Sequence, residues 1–452
     1  MSFTWTPLRL KLLPLLLGAA FAAPSQAQNL LELYESARAY DATWQSAKAL
    51  YDANIYRAEQ ARANILPSAN LAAGASRVHF ENGFAPGTFP PIDRTFTAQT
   101  GTVSASQPLY RPANLAAYEQ GKRQADLAQQ QLTAASQDLI VRVSQAYFDV
   151  LAAQDTLAFV RGQKAAVAEQ LASAKRNFEV GTTTITDTRE AQSRYDLVIA
   201  QEIQGENDLR VKKLALDSLV GRPNVNPAPL TVTELPPPNP ADPQAWVDRG
   251  ETVSPSILQA RQALEIAQLE TEKARAGHKP TLDLVASYNV IRNPNGNQQV
   301  AVFNRTDTGT VGVAFNLPLF AGFATQNRVR ETLSLEEKAQ ADLENTRRSV
   351  AQATRAAYFS LVSVQSQVKA LEAAEASSQS SLDANRVGYQ VGVRINIDVL
   401  NAQSQLYLTK RDLSQARYNV VLGHLKLRQA SGTLAPEDLA RLNTLVATPL
   451  AQ

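Results

Sequence analysis

Catalysis needs converging reactive side chains, and this chain has few to offer. Its 452 residues include no cysteine and three histidines, His79, His278 and His424, far apart in sequence. That excludes a disulfide scaffold, thiolate metal sites and a Cys nucleophile, and leaves little for histidine-based acid/base or metal chemistry. No nucleophile–base pair, phosphate loop, cofactor motif or metal-ligand spacing appears, so the sequence does not read as an enzyme. What remains is hydrogen bonding and ion pairing at two glycine-centred turns, Phe178-Glu-Val-Gly181-Thr-Thr-Thr-Ile-Thr-Asp187 and Tyr389-Gln-Val-Gly392-Val-Arg-Ile-Asn-Ile-Asp398. Gly181 and Gly392 suit the left-handed position just past a helix end. Thr184 with Asp187 has capping-box spacing, and Asp398 falls early in the next helix, where an acid meets the positive end of the dipole. Arg394 alone reads as a solvated turn charge.

The elements that hold these turns are written in the prolines. There are 23, yet none lies between Pro112 and Pro223, and only Pro436 and Pro449 follow Pro318. The chain also repeats once, at an offset of 210–213 residues. Ala61-Arg62-Ala63 recurs as Ala274-Arg275-Ala276, Pro108-Leu109-Tyr110 as Pro318-Leu319-Phe320, and Ala146-Tyr147-Phe148 as Ala357-Tyr358-Phe359. Two copies, 28–222 and 244–434, are expected on either side of a linker, 223–243, and the eight prolines of Arg222–Pro243 impose an extended backbone there. A tail, 435–452, follows, near mid-height of the helical part.

Each copy reads helix, strand, strand, long helix, helix. The opening helices are expected over about Leu30–Ile65 and Gln244–Lys279. In the proline-free windows, Val143, Ala146, Val150, Ala153, Leu157, Val160, then Val167, Leu171, Ala174 and Phe178 keep a 4-3 spacing, the mark of a left-handed coiled coil. Ala324–Val387 has neither Gly nor Pro, and its 64 residues predict a rod of about 95 Å. The many Ala and Ser of the seam imply helices in close approach. Leu282, Leu284, Ala286, Tyr288 and Val290, and likewise Val311, Val313, Phe315 and Leu317, alternate with small or polar residues over about ten positions, as in membrane barrel strands. The first copy carries such strands at Ser68–Phe80 and Phe96–Gln107, and the loops His79–Thr95 and Arg292–Asp307 read as exposed tips. Phe80, Phe84, Phe89, Tyr110, Tyr288, Phe303 and Phe320 gather at the strand ends and loop flanks, as interface girdles do.

Arg9 and Lys11, an apolar run from Leu12 to Ala23 and then Ser25-Gln26-Ala27 read as a cleaved export signal, 1–27. The signal holds two bases and no acid, so the remainder carries 42 charges of each sign, which argues against a nucleic-acid partner. Four strands cannot close a membrane barrel, and an open edge in lipid leaves backbone groups unsatisfied. Several copies must therefore share one barrel, three giving twelve strands and four giving sixteen.

Taken in order across about 400 residues, the strand-to-helix junctions Gln107-Pro-Leu-Tyr110 and Leu317-Pro-Leu-Phe320, the two turns, and Arg417-Tyr418-Asn419 through Ser431-Gly432-Thr433-Leu434 resemble the TolC-type outer-membrane export ducts. The resemblance implies a mainly α fold with membrane β: a homotrimer with a twelve-stranded barrel in outer-membrane lipid and a coiled-coil helical tunnel in the periplasm. It implies a passive exit duct for type I secretion or multidrug efflux, docked through a periplasmic adaptor (a membrane fusion protein) onto an inner-membrane ABC or proton-driven transporter. Tyr389 and Arg394 match the family's periplasmic gate, with Thr186 and Asp187 as partners, and Gly181 and Gly392 mark the turns about which it would open. Asp398 matches the first of two acidic entrance rings; the second position is Asn401, so a trimer would carry three ring carboxylates where the family type has six. The rival reading is a periplasmic coiled-coil adaptor without a barrel, which predicts a single helical hairpin. A dedicated efflux lipoprotein is disfavoured because no Cys follows the signal.

Overall fold

The computed structural model describes residues 28–83, 91–229 and 237–443. The export signal, Phe84, Phe89, part of the proline-rich linker and the end of the tail lie outside them. Each copy contains a broken helix, two strands, a very long helix and a shorter return helix. These are α1 (Leu30–Tyr40), α2 (Ala42–Arg62), β1 (Ser68–Asn82), β2 (Ile92–Tyr110), α3 (Pro112–Glu179) and α4 (Ile185–Val220). Then come α5 (Pro243–Val253), α6 (Pro255–Ala276), β3 (Thr281–Asn293), β4 (Asn304–Asn316), α7 (Ala324–Gln390), α8 (Asn396–Ala430) and a short α9 (Pro436–Asn443).

The opening helices differ from expectation, since each is broken in two. Asp41 leaves helical geometry and accepts a hydrogen bond from Trp44 N at 2.8 Å, capping α2. Ser254 breaks the second copy at the same place because Pro255 follows it, and a residue before proline is pushed out of the α region. The strands run longer than expected in both copies, 13 to 19 residues, and continue through the asparagines that read as loop. Paired backbone overrides the turn preference of Asn82, Asn293 and Asn304.

The strands form one antiparallel sheet in the order β1-β2-β3-β4. Its apolar face is bare: Leu71, Val103, Tyr288, Val313 and Phe315 are all exposed, and Val311 is 80% exposed. On the opposite face Thr102 donates to Asn289 at 2.9 Å, and Ser287 and Thr310 share a hydrogen bond of 2.7 Å. The sheet thus has one apolar and one polar side, alternating residue by residue, as membrane barrel strands do. Arg111, at the foot of β2, clamps Asp283 of β3 with bonds of 2.7 and 2.6 Å, tying the two copies together where strands give way to helices.

α3 and α7, 68 and 67 residues long, rise about 100 Å each. Near the sheet they lie in the order α2, α3, α6, α7; beyond the middle α4 and α8 take over, in the order α4, α3, α8, α7. The seam of α3 is buried from Val143 through Ala174, apart from Ala146 and Val160, which are half-buried. Phe178 departs from the expected seam at 43% exposed, because it sits in the last turn with no further helix to cover it. At mid-height Leu30, Leu33, Tyr147, Phe148, Leu425 and Leu439 bring α1, α3, α8 and α9 into one core. Tyr147 donates to Ala228 O at 2.7 Å, holding the start of the linker against α3.

Candidate functional site

The two turns cap the ends of α3 and α7 by one geometry. Gly181 and Gly392 have φ of +77° and +80°. Around the first, Gly181 N donates to Phe178 O and Thr182 N to Asn177 O; around the second, Gly392 N donates to Tyr389 O and Val393 N to Gly388 O. These are paired Schellman bonds, which satisfy the last carbonyls of each long helix and reverse the chain. The positive-φ role expected of both glycines holds.

Beyond the glycines the copies diverge. Thr184 and Asp187 form the capping box that their spacing predicts, with Thr184 N on Asp187 Oδ2 at 3.2 Å and Asp187 N on Thr184 Oγ1 at 3.4 Å. The second turn has Ile395 where the first has Thr184, so α8 starts without a side-chain cap. Asp398 is left unboxed, and Arg394 reaches it at 3.7 Å. Within one protomer, then, Arg394 pairs with Asp398 and not with Asp187, since its own first turn of α8 offers a nearer, uncommitted carboxylate. Gly388 makes room for the arginine stem: a Cβ there would lie 2.6 Å from Arg394 Cγ.

Tyr389 is half-buried, and its hydroxyl accepts from Asn177 Nδ2 at 3.4 Å, which links the two turns. Thr186 is exposed and makes no side-chain hydrogen bond among the described residues. Asn401 also faces outward, and its carbonyl accepts from Arg194 of α4 at 2.8 Å. Sequence reasoning missed Asn396, which is fully buried at the start of α8. It accepts from Gln170 of α3 and donates to the Asp187 carbonyl at 3.4 Å, locking the starts of α4 and α8 to α3. Its counterpart in the first copy is Ile185, so a polar residue replacing an apolar one was the available signal.

The tips are therefore closed on themselves, while both flanks of the protomer are open. β1 and β4 are sheet edges. Below them Leu197, Val211 and Leu214 on α4, and Phe359 and Val387 on α7, expose apolar surface on the two outermost helices.

The sequence model of the outer membrane efflux protein family matches residues 33–222 and 247–433. The chain is 34% identical to the outer membrane protein TolC of Vibrio cholerae over 437 residues, covering 96% of this chain and 98% of that one. It is 32% identical to the alkaline protease secretion protein AprF of Pseudomonas aeruginosa over 425 residues, covering 91% and 86%. Its fold is shared with the outer membrane protein VceC of Vibrio cholerae, with a TM-score of 0.77 at 20% identity over 89% of this chain and 96% of that one. Two helical hairpins and a four-stranded sheet leave no room for the one-hairpin adaptor reading.

Proposed function

Because the chain belongs to the outer membrane efflux protein family and is an outer-membrane exit duct for secretion and efflux, we propose that three copies close into one duct and that its inner end is a gate. The observation that carries closure is that sheet and helical layer run out on the same two flanks. β4 of one copy would pair with β1 of the next, giving twelve strands, while α7 would pack on the neighbour's α4 and cover the apolar surface both expose. The duct is passive and has no catalytic step of its own. A periplasmic adaptor and an inner-membrane transporter, driven by ATP or protons, would supply cargo and energy.

The same closure sets the turn of α7 beside the start of the neighbour's α4. Arg394 then has two carboxylates to choose from: Asp398 of its own turn and Asp187 of the next copy. The closed state is the one in which Arg394 bridges copies and Tyr389 holds its bonds near Asn177 and Thr186; the open state returns Arg394 to Asp398 as the hairpins swing about Gly181 and Gly392. Asp398 and Asn401 would ring the entrance. Single-channel conductance in planar bilayers tests the gate. Arg394→Ser and Tyr389→Phe should each raise conductance, and unchanged conductance in both overturns the assignment. Outer-membrane fractions should contain a heat-modifiable trimer; recovery in the soluble periplasm overturns the architecture.

A further inference from the structure

The internal repeat exposes a vacancy of charge. At the start of α2, Asp41 takes Trp44 N at 2.8 Å and is clamped by Arg142 at 2.9 and 3.2 Å; Arg142 Nε in turn donates to Asp138 at 2.7 Å. A carboxylate thus occupies the positive end of the helix and has a guanidinium behind it. Counted from the Ala-Arg-Ala and Ala-Tyr-Phe motifs, the second copy has Ser254, Ala353 and Ser349 at these three places. All three line a cleft of about 490 Å³ between α3, α6, α7 and α8.

The cleft is equipped for what it lacks. Ser254 is only 3% exposed, and its hydroxyl makes no cap on the 22-residue α6 and no other hydrogen bond among the described residues. Pro255 has no N–H and Leu258 N is taken by Ser254 O, so the N–H groups of Ser256 and Ile257 are left without a side-chain cap. Lys426 of α8 also lines the cleft; it forms no ion pair among the described residues and has only a 3.3 Å hydrogen bond to Gln145. None of the lining residues is acidic.

We propose that this cleft binds a small oxyanion, a carboxylate or a phosphate, which takes at the start of α6 the place that the Asp41 side chain takes at the start of α2. The Ser254 hydroxyl and the first free N–H groups of α6 hold its oxygens, and Lys426 replaces Arg142 as the cation. The cleft is larger than one phosphate, so the oxyanion can be the head of a larger polar molecule whose body meets Asn345 and Gln429.

Equilibrium dialysis of the full chain in detergent tests this, with radiolabelled phosphate in one arm and acetate in the other, at fixed ionic strength in sodium chloride. Saturable binding of one anion per protomer is expected, and whichever probe binds tells a phosphate source from a carboxylate source. Lys426→Met, at an exposed position, should raise the dissociation constant about tenfold. Ser254→Asp supplies the missing carboxylate from within and should abolish binding. No saturable binding of either probe overturns the proposal, as does binding that neither variant weakens.

Discussion

Thr184 and Ile395 hold corresponding places in the two turns, and one hydroxyl decides what the acid three residues later can do. With Thr184 present, Asp187 is committed to its helix start; with Ile395, Asp398 is available to Arg394. Thr184→Ala should therefore destabilise the first turn of α4 by about 1 kcal/mol, read as faster amide hydrogen exchange there. Ile395→Thr should do the reverse for α8, slowing exchange and drawing Asp398 away from Arg394. Glu270 makes a second prediction at this scale. Burial pushes its carboxyl up, but hydrogen bonds from Lys273, Arg328 and Gln120 outweigh that and hold it at about 2. A folded value below the ordinary 4.5 means that its contribution is complete above pH 4.5 and is lost as pH falls toward 2. Acid titration followed by helical circular dichroism should show Glu270→Gln with a weaker pH dependence than wild type across that window. The turn glycines and the Thr184–Asp187 box could be read from sequence because capping is local. The partner that Arg394 takes within one protomer could not, because two acids lay within plausible reach and only the backbone path of the turn brings Asp398 to it.

Among the elements, proline and glycine gave away most of the architecture, and their effects are local too. The rods of α3 and α7 are long because nothing in them breaks a helix. The break at Asp41 was hidden, because a cap is visible only once Trp44 N is seen to turn toward Asp41; the break at Ser254 is marked by Pro255, although the expected helix ran through it. Strand ends were hidden for a different reason, since cross-strand pairing extends ladders through residues that favour turns when alone. The packing that supports the rods is concentrated at mid-height, where Phe148 stacks on Tyr418 at 5.7 Å and both are buried. Phe148→Ala should cost about 3–5 kcal/mol, measured as a lower denaturant midpoint of the helical signal. At the tips, Gly392→Ala forces a side chain into φ of +80° with open space around it, so strain alone is at issue. Its cost should be about 1–2 kcal/mol and confined to hydrogen exchange in the turn, leaving the mid-height core untouched.

At the scale of the molecule, the protomer is a layer with bare apolar surface on both flanks, and that surface is what the proposed assembly would cover. The sheet's apolar face belongs to lipid, but the exposed apolar residues of α4 and α7 lie on helices outside the membrane, where lipid cannot cover them. Bare apolar surface on opposite flanks of one layer is what a head-to-tail ring uses, and a ring closes only if each flank fits the other. A charge placed on either flank should therefore break the assembly without unfolding the chain. Leu197→Asp on α4 and Phe359→Asp on α7 should each abolish the heat-modifiable oligomer in outer-membrane fractions while leaving helical content unchanged. Lys122→Asp is the control, because Lys122 is exposed on α3, inside the layer, and among the described residues its ion pair is with Glu119 of its own helix. The two flank variants should also fail to complement each other when co-expressed, since every ring of either kind still sets a charged flank against an apolar one. If oligomer survived in both flank variants, the contact between copies would have to be carried by the strands alone.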